Sequence, residues 1–247
     1  HPHPSSPLVR GRGQKYMIDF SNFEKSTGFI FKDKSLLAQA FTHRSYINEN
    51  SGAKLSHNER LEFLGDAVLE LSITDYLYRN FPDQDEGELT AYRSALVNAV
   101  IISDVAGELN MNDYLLLSKG EAKDIGKARS YILANTYEAY LGALYLDQGY
   151  DACDQFVKNT LIVRLPEILK NKLWRDAKSL VQEKAQEYFS TTPAYKVISE
   201  TGPDHDKHFT IGIFFGNEKI ALGKGKSKQE AEQVAARNAL ELKKWLD

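Results

Sequence analysis

Residues 58–69 read Asn58-Glu59-Arg60-Leu61-Glu62-Phe63-Leu64-Gly65-Asp66-Ala67-Val68-Leu69, and their periodicity decides the first half of the fold. At about 100° per residue, Glu59, Glu62 and Asp66 project within a sector of about 60°. Leu61, Phe63, Leu64, Val68 and Leu69 fill most of the remaining circumference, the pattern of a helix buried on nearly every side. Three acids on the one polar stripe of such a helix repel each other and lose hydration, so they persist where a cation or several donors compensate them. A solvated acidic face, with Glu59 paired to Arg60 or another base, is the plainer alternative for one helix alone. A second helix shifts the weight. Between Tyr131 and Leu146 the side chains are almost wholly apolar apart from Asn135, Thr136 and Glu138. Asn135 and Glu138, three apart, share a face. Two such helices can build a hard-cation site, and oxygen-only ligation fits Mg²⁺ or Mn²⁺ better than zinc.

Working outward, helical spacing recurs in residues 34–41, 89–109, 130–146 and 152–165 as well as 59–78, with Gly, Asn, Asp and Pro between them. No strand is expected before residue 170, so residues 17–170 read as an all-helical domain. Residues 1–16 lack any apolar run and read as a disordered leader outside the fold. The period changes after a linker at 171–175. Residues 176–189 suit a helix and 194–200 an extended segment. His208-Phe209-Thr210-Ile211-Gly212-Ile213-Phe214-Phe215 alternates like a half-buried strand. Gly216-Asn217 signals a hairpin into a strand at 218–222. Ser227-Lys228-Gln229-Glu230 is a capping box that starts a last helix. Residues 176–247 therefore form an α-β-β-β-α domain.

The net charge of −3 and pI near 6.1 argue against a uniformly basic nucleic-acid binder, so local distribution matters more. The acidic excess lies before Arg175. Lys219, Lys224, Lys226 and Lys228 follow one another without an intervening acid. Beside the free N–H groups of a helix start, such cations make an anion site, and phosphate is the obvious anion; a solubilising lysine turn is the bland alternative. Cys153 is the only cysteine, which excludes an intrachain disulfide and a cysteine zinc site. No apolar run approaches the ~20 residues needed to cross a bilayer.

Residues 58–66 resemble the ribonuclease III signature, with matching flanks at Thr42-His43-Arg44-Ser45-Tyr46, Asp85-Glu86-Gly87-Glu88 and residues 143–147; the similarity spans residues 18–247. The resemblance implies a divalent-metal-dependent endoribonuclease that cuts double-stranded RNA within the duplex. Its products carry 5′-phosphate and 3′-hydroxyl ends with short 3′ overhangs. Glu62, Asp66 and Glu138 take the family's metal-binding acidic positions, with Asp66 and Glu138 the indispensable pair, and Glu59 and Glu86 match accessory acids. Asn135 stands where the family usually has Asp. An amide oxygen still ligates Mg²⁺ but brings no charge, so the alternative reading is a catalytically impaired duplex-binding scaffold. The family works as a homodimer, and Phe63 is placed at the interface; core packing is the alternative for it. Residues 176–247 resemble a double-stranded RNA-binding domain, which implies contacts from Gln182 and Glu183, from Gly202-Pro203-Asp204-His205, and from Lys224, Lys226 and Lys228. A cytoplasmic or organellar-matrix location is expected.

Overall fold

The computed structural model of the chain divides into two units, residues 1–167 and 168–247. It describes residues 8–11, 14–52, 55–124, 126–170, 177–203 and 207–245, with side chains from Ile18 onward. The expected linker at 171–175 and His205 lie outside the described residues.

The first unit is built on two long helices, α4 (Glu59–Asn80) and α7 (Lys127–Gln148). Around them lie α1 (Ser21–Thr27), α2 (Lys34–Ala40), α3 (Arg44–Glu49), α5 (Glu86–Leu96), α6 (Ala99–Glu108), α8 (Tyr150–Thr160) and α9 (Leu165–Lys170). The stretch expected as one helix at 89–109 is two. Asn98 breaks it by accepting a hydrogen bond from Ile101 N at 3.1 Å, capping α6. Residues 8–18 also differ from the expected leader: β1 (Leu8–Gly11) and β2 (Gln14–Ile18) pair antiparallel. Two short apolar segments around a Gly-rich break are themselves a hairpin signal, which a search for an apolar run passes over.

Local hydrogen bonds explain how the long helices are held. Asn58 is buried; its backbone N–H donates to Thr42 O (3.0 Å) and its side-chain amide to Ala40 O (3.1 Å). That fixes where α4 begins. At the far end of α7, the Asp147 carboxylate accepts the backbone N–H groups of Lys32 (2.9 Å) and Asp33 (2.8 Å). Desolvation pushes its carboxyl up more than any one contact pulls it down, but these donors, with Gln148 and Lys32, together hold it below the usual range. Phe23, Phe31, Phe41, Tyr137, Tyr140 and Phe156 form the aromatic core beneath.

Glycine sets the closest approach of α4 and α7. A Cβ on Gly65 would run into the backbone carbonyl of Glu138, and one on Gly142 into that of Leu61. The two helices therefore touch backbone to backbone, a separation that only glycine allows.

In the second unit, α10 (Ala177–Phe189) and α11 (Lys228–Lys243) pack on one face of an antiparallel sheet, β3 (Ala194–Thr201), β4 (His208–Phe215) and β5 (Glu218–Gly225), in that order. Gly216 takes a φ of 59° in the β4–β5 turn, as the Gly-Asn signal requires. Gly223 and Gly225 face α11, where a Cβ on either would meet the backbone of Ala231.

Candidate active site

The expectation that α4 is buried nearly all round is corrected by the structure. Leu61, Gly65, Val68, Leu69, Ser72, Ile73 and Leu77 are buried. On the opposite side Phe63 is 82% exposed, Leu71 57% and Tyr78 73%. Periodicity reports that a face is apolar, not whether the same chain covers it. Asp66 is also exposed, Glu62 and Glu138 only half-buried, so burial alone does not explain the acids.

Burial first, and then one another's charge, act on these acids at the glycine crossing. Burial pushes the Glu138 carboxyl up to about 7, helped by the charges of Asp66, Glu62 and Glu70. Glu62 is also raised, by burial and then by Glu59, while the Asn135 side chain opposes the shift. Asn135 on α7 thus favours the ionised form of Glu62 on α4, an effect the Asp usual at that position lacks when ionised. Among the described residues no Lys or Arg forms an ion pair with Glu62, Asp66 or Glu138. Nor, among the described residues, do three His, Cys, Asp or Glu side chains gather closely enough to hold a metal ion by themselves. The donor set is all oxygen and rich in uncompensated negative charge, so it fits a hard divalent cation; Asn135 weakens that fit by one charge.

The accessory acids stand apart from this group. Glu59 is exposed and lies 3.5 Å from Arg44 and 3.6 Å from His57, so its partners are these and not Arg60. Glu86 opens α5 and lines a cleft of about 450 Å³ with Thr74, Tyr78 and Arg93. Sequence reasoning missed Glu70, one turn beyond Asp66, which adds to the field on Glu138. Arg93 holds it at 3.0 Å and also donates to Thr74. The i, i+4 spacing of Asp66 and Glu70 was the available signal.

A stability test reads the cost of placing a charge on Glu138, set by burial and then by its acidic neighbours. The Glu138 carboxyl titrates higher folded (about 7) than its usual 4.5, so its ionisation costs nothing at pH 4. The cost sets in as pH rises through 4.5 and is complete above about 7. In metal-free protein Glu138→Gln should therefore stabilise by on the order of 2 kcal/mol at pH 8, discounted for solvent screening, and by little at pH 4. Urea unfolding at both pH values checks this; a gain independent of pH removes the ionisation cost of Glu138 from the account.

In the second unit, Gln182 and Glu183 lie on the exposed side of α10, and Pro203 is exposed beside Gly202. Ser227 caps α11 by accepting from Glu230 N at 3.1 Å, and the Glu230 carboxylate accepts from Lys226 N at 2.8 Å. Lys226 and Lys228 flank this helix start. Lys228 is engaged, its Nζ lying 3.3 Å from Glu200 on β3 and 5.6 Å from the Phe209 ring centroid. Glu232 is taken up by Lys178 at 2.6 Å. Lys224 does not join them. It pairs with Thr210 and alternates with Gly223 and Gly225, which face α11, so it projects from the other face of the sheet.

Residues 33–165 match the family profile described as Ribonuclease-III-like, and residues 177–243 that of the double-stranded RNA binding motif. In this order the two matches define an endoribonuclease with its own RNA-binding domain. Ribonuclease 3 of Anoxybacillus flavithermus is 43% identical over 227 residues, 92% of this chain and 95% of the relative. Ribonuclease 3 of Carboxydothermus hydrogenoformans is 46% identical over 224 residues, 90% of this chain and 95% of the relative. The solved nuclease domain of ribonuclease III from Campylobacter jejuni superposes with a TM-score of 0.52 at 38% identity, covering 60% of this chain and 96% of that one. That structure is described as showing flexibility in a region involved in dimer formation. The chain belongs to the ribonuclease III family and is an endoribonuclease of that type. Among the described residues no helix is long and apolar enough to cross a membrane.

Proposed function

We propose that the chain hydrolyses phosphodiester bonds within double-stranded RNA with the help of a divalent cation, Mg²⁺ or Mn²⁺, leaving 5′-phosphate and 3′-hydroxyl ends. The observation that carries this reading is the carboxylate group Glu62, Asp66 and Glu138 across the Gly65–Gly142 crossing, without a basic partner among the described residues. Glu62, Asp66, Glu138 and the Asn135 amide oxygen would hold the cation. When bound, it supplies the Lewis acidity that makes water nucleophilic at neutral pH and steadies the leaving oxygen. Glu138 keeps a proton near neutral pH until a cation offsets its neighbours, and Asn135 orients Glu62. Glu59, whose charge reaches Glu62, and Glu86, in the cleft that Arg93 also lines, act as accessory acids. Gln182, Glu183, Pro203, Lys226 and Lys228 form the duplex surface of the second unit.

Long duplex RNA incubated with Mg²⁺ and with EDTA tests this. Short 5′-phosphorylated duplexes should form only with the metal. Binding without cleavage in both Mg²⁺ and Mn²⁺ would favour a duplex-binding scaffold, for which Asn135 is the one supporting residue.

The exposed strip of α4 supports a homodimer. Phe63, Leu71 and Tyr78 are large apolar side chains exposed on one side of α4, and such residues suit an interface. The Campylobacter nuclease domain, with its region involved in dimer formation, points the same way. Phe63→Ala should weaken self-association about tenfold or more, as loss of an aromatic interface anchor does. Sedimentation as an unchanged dimer down to nanomolar concentration would count against Phe63 at the interface.

A further inference from the structure

The outer face of the C-terminal sheet lies opposite the helices and has its own chemistry. Along β4, Ile211, Ile213 and Phe215 are buried, so Thr210, Gly212 and Phe214 point outward. The register sets Lys196 and Leu222 on either side of Gly212, Lys219 beside Phe214, and Lys224 beside Thr210. Cross-strand partners share a face, and all four of these β3 and β5 side chains are exposed. The strand acids Glu200 and Glu218 pair instead with Phe209 and Phe215, which alternate onto the inner side.

Gly212 makes the floor of this face. A Cβ there would press on the Phe214 ring and on Ile198, so both side chains lie over the glycine. Lys196 Nζ sits 5.0 Å from the centroid of the Phe214 ring. The result is a low apolar platform with one aromatic ring and three lysines, Lys196, Lys219 and Lys224, around it.

We propose that this face binds single-stranded RNA, in the form of unpaired strands flanking a duplex. Every base has a π-face that can replace the Lys196 ammonium over Phe214, and the three lysines match the phosphates of an extended strand. A flat sheet has no projecting helix or loop to enter a groove, so the platform suits splayed bases and not a duplex. The inference rests on the chain being an RNA enzyme, but not on where the duplex docks.

Fluorescence anisotropy with the full chain and no divalent ion tests it. The probes are a labelled oligouridylate twelve nucleotides long and a blunt duplex. Lys196→Glu/Lys219→Glu should weaken oligouridylate binding about tenfold or more, and Phe214→Leu about fivefold, while duplex binding stays within about twofold. Lys226→Ala/Lys228→Ala, off the platform, should leave oligouridylate binding within about twofold. Thermal melting confirms that each variant is folded, and the lysine and Phe214 variants probe the platform independently. The proposal is overturned if the parent does not bind oligouridylate, or if the platform variants leave that binding intact. Loss of both probes together in Lys226→Ala/Lys228→Ala, or equal competition by an acidic peptide of matching charge, also overturns it.

Discussion

Replacing Asn135 by Asp is expected to lower the Mg²⁺ concentration needed for half-maximal cleavage by about tenfold or more, and to raise cleavage at limiting Mg²⁺ by roughly 10- to 100-fold. Even groups one step removed from a metal change its affinity by about 10- to 100-fold, and a charged ligand replacing a neutral one acts directly. Two terms add. The amide now steadies the ionised Glu62, competing with a cation for that carboxylate, whereas an ionised Asp has no hydrogen to offer it. The substitution also adds a negative charge to a group where burial, and then neighbouring acids, already lift Glu138. The metal-free Asn135→Asp protein should therefore melt lower than the parent and gain more in melting temperature on adding Mg²⁺. That readout does not depend on turnover. Identical Mg²⁺ dependence in both assays would show that position 135 is not a ligand.

Gly65→Ala is expected to destabilise the chain by about 3 kcal/mol or more. Overpacking a core usually costs about 1–3 kcal/mol because side chains shift to make room. Here the new Cβ meets the Glu138 carbonyl and the Gly142 backbone nitrogen, and neither is free to rotate away. Relief comes only from separating α4 and α7, which carry the two halves of the carboxylate group. Any folded fraction should therefore also cleave poorly at saturating Mg²⁺. Gly107→Ala in α6 is the control, since a Cβ there meets nothing within 4 Å; it should be neutral or slightly stabilising. Equal urea midpoints for the two variants would refute the close crossing.

Much of this architecture is legible in the residues. Period 3.6 around Glu59 and Tyr131 locates the two central helices, and the alternation in His208–Phe215 locates the middle strand of the second unit. Glu62, Asp66 and Glu138 emerge because acids interrupt otherwise apolar patterns. Other features stay hidden for physical reasons. The break at Val97-Asn98 is set by one capping side chain, which periodicity averages over. Exposure of Phe63 depends on what the rest of the chain leaves uncovered. Lys224 follows Lys219 and precedes Lys226 in a run without acids, yet strand alternation turns it to the far side from α11. Spacing along a chain does not report the face of a sheet until the register is known. The partnership of Glu70 with Arg93 joins helices that only the fold brings side by side.

The contact between Lys228 and Glu200 has a consequence for how ionic strength governs RNA association. The ions released when a protein meets RNA are cations held by the phosphates. A lysine that keeps its carboxylate beside it neutralises less of the phosphate charge, so it displaces fewer of those cations and adds little to the fall of affinity with added salt. The slope of log affinity against log salt for this domain is therefore set by fewer cations than its helix start displays, and severing the pair with Glu200→Gln makes that slope steeper.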